Sequence, residues 1–257
     1  MSKKTKNKAK RVHNLIIVDE SGSMQDIQKQ AFSGMNETLQ TVRRLQAKYP
    51  DMEQRVSLVT FNSAQIKWHY DNELAELTKD LDWSDYNPSA CTPLYDAMGR
   101  AMSKVEAQIE EGSKVLATVI TDGYENSSKE WTLQMIRATI DRLKELHWTF
   151  SLIGTDNLDV ESIARSFKID NHLSFRQDGA GTKKMFSKVL CCVGRAMDLL
   201  EEDEDIPTGG FFTDDEDIPT GGSIVDDKDI PTGGSIVDDK DIPTGGPFVD
   251  DDSPLPF

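Results

Sequence analysis

Oxygen-bearing side chains are grouped at three separate places in this 257-residue sequence. The three segments are Asp19-Glu20-Ser21-Gly22-Ser23, Cys91-Thr92-Pro93 and Thr121-Asp122-Gly123. Together they offer two carboxylates and three hydroxyls, and such hard oxygen donors select Mg²⁺, Mn²⁺ or Ca²⁺ rather than zinc or copper. We therefore expect one divalent ion here, with a coordination position left open for a carboxylate from outside. The candidate ligands are Asp19, Ser21, Ser23, Thr92 and Asp122.

Short apolar runs rich in β-branched residues indicate the buried strands that would position these segments. Helical patterns separate most of the runs, and this alternation predicts a mostly parallel sheet with helices on both faces. Asp19 and Asp122 each come just after such a run. Because the carboxyl ends of parallel strands meet at one edge of the sheet, we expect these carboxylates to converge there. The runs are Leu15–Val18, Val56–Phe61, Val115–Ile120 and Trp148–Ile153.

One further strand departs from the parallel pattern. Ile66, Trp68 and Tyr70 alternate with polar residues only a few positions after Phe61, a spacing typical of a hairpin. A short helix and then a loop are expected over Asp71–Cys91. The predicted fold class is therefore α/β, a three-layer doubly wound sheet that is mostly parallel with one antiparallel edge strand. Helices are predicted at Ile27–Leu45, Pro93–Glu111, Lys129–Leu146, Val160–Phe167 and Thr182–Leu200.

The three oxygen-bearing segments resemble the metal-ion-dependent adhesion site of von Willebrand factor A (vWA) domains. The likeness rests on D-x-S-x-S after the first strand, a distant Thr, and a later T-D-G, in the family's order, and it covers roughly residues 12–200. It implies a Rossmann-like vWA fold and a module that binds a protein partner, an acidic residue of which completes the coordination of the ion. It also implies hydroxyl ligands at Ser21, Ser23 and Thr92, and carboxylate ligands, direct or through water, at Asp19 and Asp122.

Simpler structural roles are open for several of these residues. Asp19 and Thr92 each stand where a helix N-cap is favoured, and Asp122-Gly123 could form a plain turn. Glu20 is expected to be a solvated loop residue. Asp96 is expected to lie on a helix surface or to support the site from outside the ligand set. We favour the metal site because the residues occur together, and Thr92 can serve as ligand and cap at once.

The sequence lacks the usual parts of an enzyme. Ser21 and Ser23 have no His at a motif-related spacing, and neither a G-x-S-x-G elbow nor a G-x-x-x-x-G-K-[ST] phosphate loop occurs. A metal with acids nearby could hydrolyse phosphate esters. A single site built mostly from hydroxyls, with one open position, suits docking better. We therefore expect a binding protein and no enzyme, with a metal-dependent hydrolase as the less favoured alternative.

Charge is divided unevenly along the chain. From Asp198 to Phe257 there are 19 Asp and Glu against 2 Lys, whereas residues 1–197 carry 26 acidic and 27 basic residues. The net charge of −16 therefore belongs to the C-terminal part, which would repel the phosphates of nucleic acid. From Glu204 this part repeats with a period of 12 around Asp-Ile-Pro-Thr-Gly-Gly, and it has too few apolar side chains to offset the cost of ordering. We expect a basic flexible arm at 1–11, a vWA domain at 12–200 and an acidic disordered tail with four repeats at 201–257.

The repeated motif allows three interpretations of the tail. Its threonines could be phosphorylated in a bacterial stress or phospho-signalling system, where several weak copies bind by avidity. Its aspartates could instead dock into the metal site of the same molecule or of a neighbouring copy, which would cause self-association. The tail could also only add solubility. The motif positions are Asp205, Thr208, Asp217, Thr220, Asp229, Thr232, Asp241 and Thr244.

The remaining features favour the cytoplasm. Val12–Val18 is too short and too polar for a secretory signal, and no apolar run approaches the ~18 residues of a membrane span. Three cysteines without a disulfide framework are typical of a reducing compartment. The segment Leu94-Tyr95-Asp96-Ala97-Met98 resembles the corresponding segment of compact bacterial cytoplasmic vWA proteins. Cys91 is not expected to ligate a hard ion, and Cys191 and Cys192 are expected to fill the core.

Overall fold

The computed structural model describes residues 10–110, 112–202 and 206. All of these belong to the first of two units, Met1–Ile218, and the second unit is Pro219–Phe257. The expectations for the arm up to residue 9 and for nearly all of the tail therefore concern positions outside the described residues. These positions include Asp205, Thr208, Asp217, Thr220, Asp229, Thr232, Asp241 and Thr244.

Six strands form one sheet at the centre of the domain. They are β1 (Lys10–Asp19), β2 (Met52–Phe61), β3 (Ile66–Leu74), β4 (Lys114–Thr121), β5 (Trp148–Thr155) and β6 (Asn171–Phe175). The order across the sheet is β3-β2-β1-β4-β5-β6, and every neighbouring pair is parallel except β2 and β3. This confirms the predicted doubly wound α/β fold with its antiparallel edge strand.

Helices cover both faces of the sheet. The α-helices are α1 (Gln28–Lys48), α2 (Leu94–Gln108), α3 (Leu133–Lys144), α4 (Val160–Phe167) and α5 (Gly179–Glu201), and short 3₁₀ helices lie at Gly22–Ile27, Ala75–Leu77 and Trp83–Asp85. Helices α1 and α5 pack against each other, while α2, α3 and α4 share the core on the other face. Among the helices that the structure describes, none is both long and apolar enough to cross a membrane.

Local sequence signals explain where several helices begin. Thr132, Asp159 and Asp178 precede α3, α4 and α5, and each side chain accepts a hydrogen bond from the backbone N–H three residues further on. Such caps satisfy one of the free N–H groups of a first helical turn and stabilise a helix by about 1 kcal/mol. These caps fix the ends of the loops that connect the sheet to its helices.

The core is formed by alternate residues of the central strands. Leu15 and Ile17 of β1 are buried against the layer of α2, α3 and α4, and their neighbours Ile16 and Val18 face the opposite side of the sheet. On that opposite side α1 approaches α5 so closely that a Cβ added at Gly34 would lie 2.0 Å from the ring of Phe186. The sheet is therefore held between two tightly packed helical layers.

The structure departs from the sequence-based expectations at several places. Strand β6 was not predicted, because its exposed His172 and Ser174 interrupt any apolar run. Strand β3 continues to Leu74, and the expected short helix after it is replaced by two 3₁₀ helices. Lys10 and Arg11, assigned to the arm, are the first residues of β1. The expectation of two core cysteines was wrong for Cys191, which is exposed, whereas Cys192 is buried.

Candidate metal centre

Two carboxylates meet at the carboxyl edge of the sheet. Asp19 is the last residue of β1, and Asp122 directly follows the last residue of β4. These strands are neighbours, with Val18 paired to Ile120. The crossover connections of a parallel sheet place both loops at the same edge, as the sequence predicted.

Ser21 and Ser23 connect the two carboxylates. The backbone N–H of Ser21 donates to Asp19 Oδ1 at 2.8 Å. Ser21 Oγ lies 3.2 Å from Ser23 Oγ, which in turn donates to Asp122 Oδ1 at 2.6 Å. Four of the five candidate ligands therefore form one continuous polar chain.

Thr92, the fifth candidate, borders the same place. A Cβ added at Gly123 would lie 3.0 Å from Thr92 Oγ1 and 3.6 Å from Ser23 Oγ. Both hydroxyls therefore lie beside Gly123, which has no side chain of its own. The backbone of Thr92 is fixed by Asn126, whose Oδ1 accepts from Thr92 N at 2.9 Å and whose N donates to Thr92 O at 3.1 Å. The Thr92 hydroxyl therefore lies beside the polar chain, on the side of Ser23.

The capping alternatives are wrong in this structure. Helix α2 has Pro93 at its N-cap position and no side-chain cap, so Thr92 does not cap it. Ser21 precedes the 3₁₀ helix, again without a side-chain cap bond, and Asp19 bonds only the backbone of Ser21 in this loop. Neither Asp19 nor Thr92 is needed to start a helix.

Burial makes the two carboxylates costly to ionise. Asp19 is fully buried, and burial raises the pKa of its carboxyl to about 6, although hydrogen bonds from Thr121 and Ser21 favour the charged form. Burial also raises the pKa of Asp122, against the opposing effect of the Ser23 hydrogen bond. A cation beside them would remove this cost, because an opposite charge favours the ionised form.

The donor set defines which kind of ion the residues fit. Within the described residues, no group of three or more His, Cys, Asp or Glu side chains is arranged to hold a metal. An ion here would therefore depend on the hydroxyls of Ser21, Ser23 and Thr92 as well as on Asp19 and Asp122. Oxygen-only donors with two carboxylates suit a hard divalent cation.

The loop Tyr86–Cys91 is anchored to the first oxygen-bearing segment. Tyr86 Oη donates to Asp19 O at 2.7 Å, and Asn87 N donates to Glu20 Oε1 at 2.6 Å. Further bonds run from Ser89 N to Glu20 O and from Gly22 N to Ala90 O. This loop leads directly into Thr92, so the same contacts help to place the Thr92 hydroxyl.

Two acidic residues have roles that the sequence did not indicate. Glu20 was expected to be solvated, but it is only 2% exposed, because its side chain binds the loop Tyr86–Cys91. Asp96 is buried rather than on a helix surface. Its carboxylate accepts hydrogen bonds from the backbone N–H groups of Lys129, Glu130 and Trp131.

Sequence reasoning also missed three residues that orient the site. Thr121 Oγ1 donates to Asp19 Oδ2 at 2.6 Å, and Gln177 Nε2 donates to Asp122 Oδ2 at 3.2 Å. Asn126 holds the backbone of Thr92. Thr121 adjoins Asp122 in T-D-G and could have been noticed, whereas Gln177 follows a strand that carried no clear signal.

Solved structures of low sequence identity share this fold. The vWF domain of the type V pili tip protein Mfa5 from Porphyromonas gingivalis is 10% identical, with a TM-score of 0.56 over 73% of this chain and 96% of that domain. The PilB minor pilin from Streptococcus sanguinis is 12% identical, with a TM-score of 0.51 over 72% of this chain and 61% of that one. The pilus adhesin SpaC from Lactobacillus rhamnosus GG is 13% identical, with a TM-score of 0.53 over 75% of this chain and 30% of that one. The likeness thus spans less than two thirds of PilB and of SpaC.

No curated protein sequence matches the chain significantly. The sequence profile of the family described as "von Willebrand factor type A domain" matches residues 15–188, from β1 into α5. This is well over half of the chain and includes all three oxygen-bearing segments. The protein therefore belongs to the von Willebrand factor type A domain family.

Proposed function

We propose that the protein is a metal-dependent protein-binding module. One divalent ion, Mg²⁺ or else Mn²⁺ or Ca²⁺, is held by the five oxygen donors, and an acidic residue of a partner protein completes its coordination. The observation that carries the proposal is the polar chain from buried Asp19 through Ser21 and Ser23 to Asp122. The donors are Asp19, Ser21, Ser23, Thr92 and Asp122.

Charge balance supports docking of a carboxylate. Asp19 and Asp122 together offset the two positive charges of the ion, and hydroxyls add no further charge. The ion would supply a Lewis-acidic position for a carboxylate from outside. The open side of the site is the side of exposed Ser23, since Asp19, Ser21 and Thr92 are buried.

The family relationship supports a binding role over catalysis. Of the solved structures with this fold, SpaC is named as an adhesin. Ser21 and Ser23 bond each other, and Ser23 bonds Asp122. Buried His13 contacts Ser57, and half-buried His69 contacts Thr60. The described residues therefore give neither serine a histidine base.

An affinity pull-down from the host tests the proposal. Wild type should capture a partner in Mg²⁺ and lose it in excess chelator, and Asp19→Ala should capture nothing in either buffer. Asp51→Ala is a matched control, because Asp51 is an exposed carboxylate just before β2, at the end of that strand opposite the metal-centre edge. Capture that persists in chelator, or in Asp19→Ala, contradicts the proposal.

A cytoplasmic location is part of the proposal. Its support is that all three cysteines are free, with Cys91 and Cys191 exposed, as expected in a reducing compartment. Fractionation of host cells tests it. Recovery of the protein from the medium or from the cell surface contradicts it.

The repeated tail motif provides a second candidate function, a scaffold whose threonines are phosphorylated. Its support is the fourfold repetition of Asp-Ile-Pro-Thr-Gly-Gly in the sequence. The four threonines are Thr208, Thr220, Thr232 and Thr244. Intact-mass measurement of protein from the native host tests it, since the absence of added phosphate masses contradicts it.

Docking of tail aspartates into the metal centre, of the same molecule or of a neighbouring copy, is a further candidate role for the repeated motif. Its support is that tethering raises the local concentration of a weakly binding carboxylate. Deletion of residues 203–257 tests it, since unchanged metal-dependent partner affinity and unchanged self-association contradict it.

A further inference from the structure

Gln177 is the one described side chain outside the three oxygen-bearing segments that donates to a candidate carboxylate ligand. It lies between β6 and α5, and its Nε2 donates to Asp122 Oδ2 at 3.2 Å. The other oxygen of Asp122 accepts from Ser23 Oγ at 2.6 Å. Both oxygens of the Asp122 carboxylate are therefore engaged, which fixes its rotation.

The orientation of the Gln177 amide is itself determined by neighbours. Asn157 Nδ2 donates to Gln177 Oε1, so the amide nitrogen of Gln177 must face Asp122. The backbone N–H of Gln177 donates to Asp156 Oδ1 at 3.2 Å. Two consecutive residues of the loop after β5 thus hold Gln177 in place.

We propose that Gln177 is a positioning residue for the metal ion. It holds the Asp122 carboxylate with Oδ1 directed toward Ser23 and the other oxygen donors, so the ion meets a ligand that is already oriented. Partners that orient metal ligands in this way contribute about 10-fold or more to metal affinity. This inference rests on the proposed function, because it names a further residue of the same metal site.

A purely structural role for Gln177 is disfavoured by the anchors that its loop already has. Asp178 accepts from Gly181 N at 2.7 Å at the start of α5 and pairs with Arg176. Asp156 N donates to Phe175 O at 2.8 Å. The loop therefore keeps its backbone contacts when the Gln177 amide is removed, and the fold should not depend on it.

Mg²⁺ titration of the full chain by calorimetry tests the proposal. Gln177→Leu should weaken Mg²⁺ binding roughly tenfold and leave the Tm in chelator unchanged. Gln177→Glu should not restore Mg²⁺ binding, because its carboxylate cannot donate to Asp122 Oδ2 and repels that oxygen. Asn157→Leu should give a smaller loss, since it only frees the amide of Gln177 to turn. A gain in affinity in Gln177→Glu would show that charge near the ion, and not the hydrogen bond to Asp122, is what matters at this position.

Gln40→Leu is the matched control, because Gln40 Nε2 donates to Asp80 Oδ2 at 2.6 Å, a carboxylate without a proposed ligand role. This variant should bind Mg²⁺ as wild type does. Wild-type affinity in Gln177→Leu, or equal losses in Gln177→Leu and Gln40→Leu, overturns the inference but leaves the proposed function standing. Failure of wild type itself to bind Mg²⁺ overturns both. If Gln177→Leu does not fold, Asn157→Leu decides the question, since wild-type affinity in that variant overturns the inference.

Discussion

Thr121 Oγ1 donates a 2.6 Å hydrogen bond to Asp19 Oδ2, so the last residue of β4 orients the carboxylate at the end of β1. The same hydroxyl accepts from Gly123 N at 3.2 Å. One side chain thus links the first and third oxygen-bearing segments. A hydrogen bond to a buried carboxylate stabilises a protein by about 1.5–3 kcal/mol.

Thr121→Val keeps the shape of the side chain and removes this bond. We expect a loss of about 2 kcal/mol in the free energy of unfolding, measured by urea denaturation, together with weaker Mg²⁺ binding. Thr118→Val is the control, because Thr118 is also buried in β4, whereas the hydroxyl that donates to Asp19 Oδ2 is that of Thr121. Equal losses in the two variants would show that the Thr121 hydroxyl has no special role.

Asp19→Asn should be more stable than wild type in chelator and less stable than wild type in Mg²⁺. Burial raises the pKa of Asp19 from 3.8 to about 6, so the folded state binds this proton more tightly than the unfolded state does. Asp19 therefore lowers the stability of the ion-free protein as pH rises from about 4 to 6, by up to about 3 kcal/mol. In chelator above pH 6, Asp19→Asn should be more stable than wild type, and this advantage should disappear near pH 4.

Melting curves in chelator at several pH values, repeated with Mg²⁺, test this expectation. Mg²⁺ should stabilise wild type and leave Asp19→Asn unchanged, because the variant lacks one carboxylate ligand. A variant that is less stable than wild type in chelator at pH 8 would show that the buried charge carries no cost.

Strong local patterns explain what the sequence could predict. The apolar runs of β1, β2, β4 and β5 are continuous, so these strands and their parallel direction could be predicted. The edge at which Asp19 and Asp122 meet followed from that direction. The boundaries were less exact, since helix ends depend on caps such as Thr132, which starts α3 later than its apolar pattern suggests.

Contacts between distant segments explain what the sequence could not predict. In the sequence Glu20 is typical of a solvated loop residue, but in the fold the loop Tyr86–Cys91 covers it. Gln177 contacts Asp122 across 55 positions of sequence and follows β6, whose alternating exposure gave no apolar run. No spacing in the sequence predicts either contact, because both depend on how loops that follow different strands fold over one another.

Gly34→Ala should destabilise the domain by disturbing the packing of α1 on α5. The added methyl would lie 2.0 Å from Phe186 Cδ2, and the Phe186 ring is itself buried and cannot move aside freely. Overpacking of this kind costs about 1–3 kcal/mol, measurable by urea denaturation. Gly179→Ala is the control, because its Cβ meets mainly the end of the flexible Gln30 side chain. An equal or smaller loss for Gly34→Ala contradicts the packing.

Two substitutions of Glu20 should distinguish the effect of its hydrogen bond from the effect of its charge. Glu20→Gln keeps an oxygen that can accept from Asn87 N, whereas Glu20→Ala leaves that N–H without its 2.6 Å partner. Because the loop Tyr86–Cys91 leads into Thr92, Glu20→Ala should weaken Mg²⁺ binding and speed amide hydrogen exchange at Asn87 and Ser89. Glu20→Gln should change both much less. Equal losses of Mg²⁺ binding in the two variants, with amide exchange at Asn87 and Ser89 still slow, would contradict this. Glu20 would then affect the ion through its charge and not through the loop.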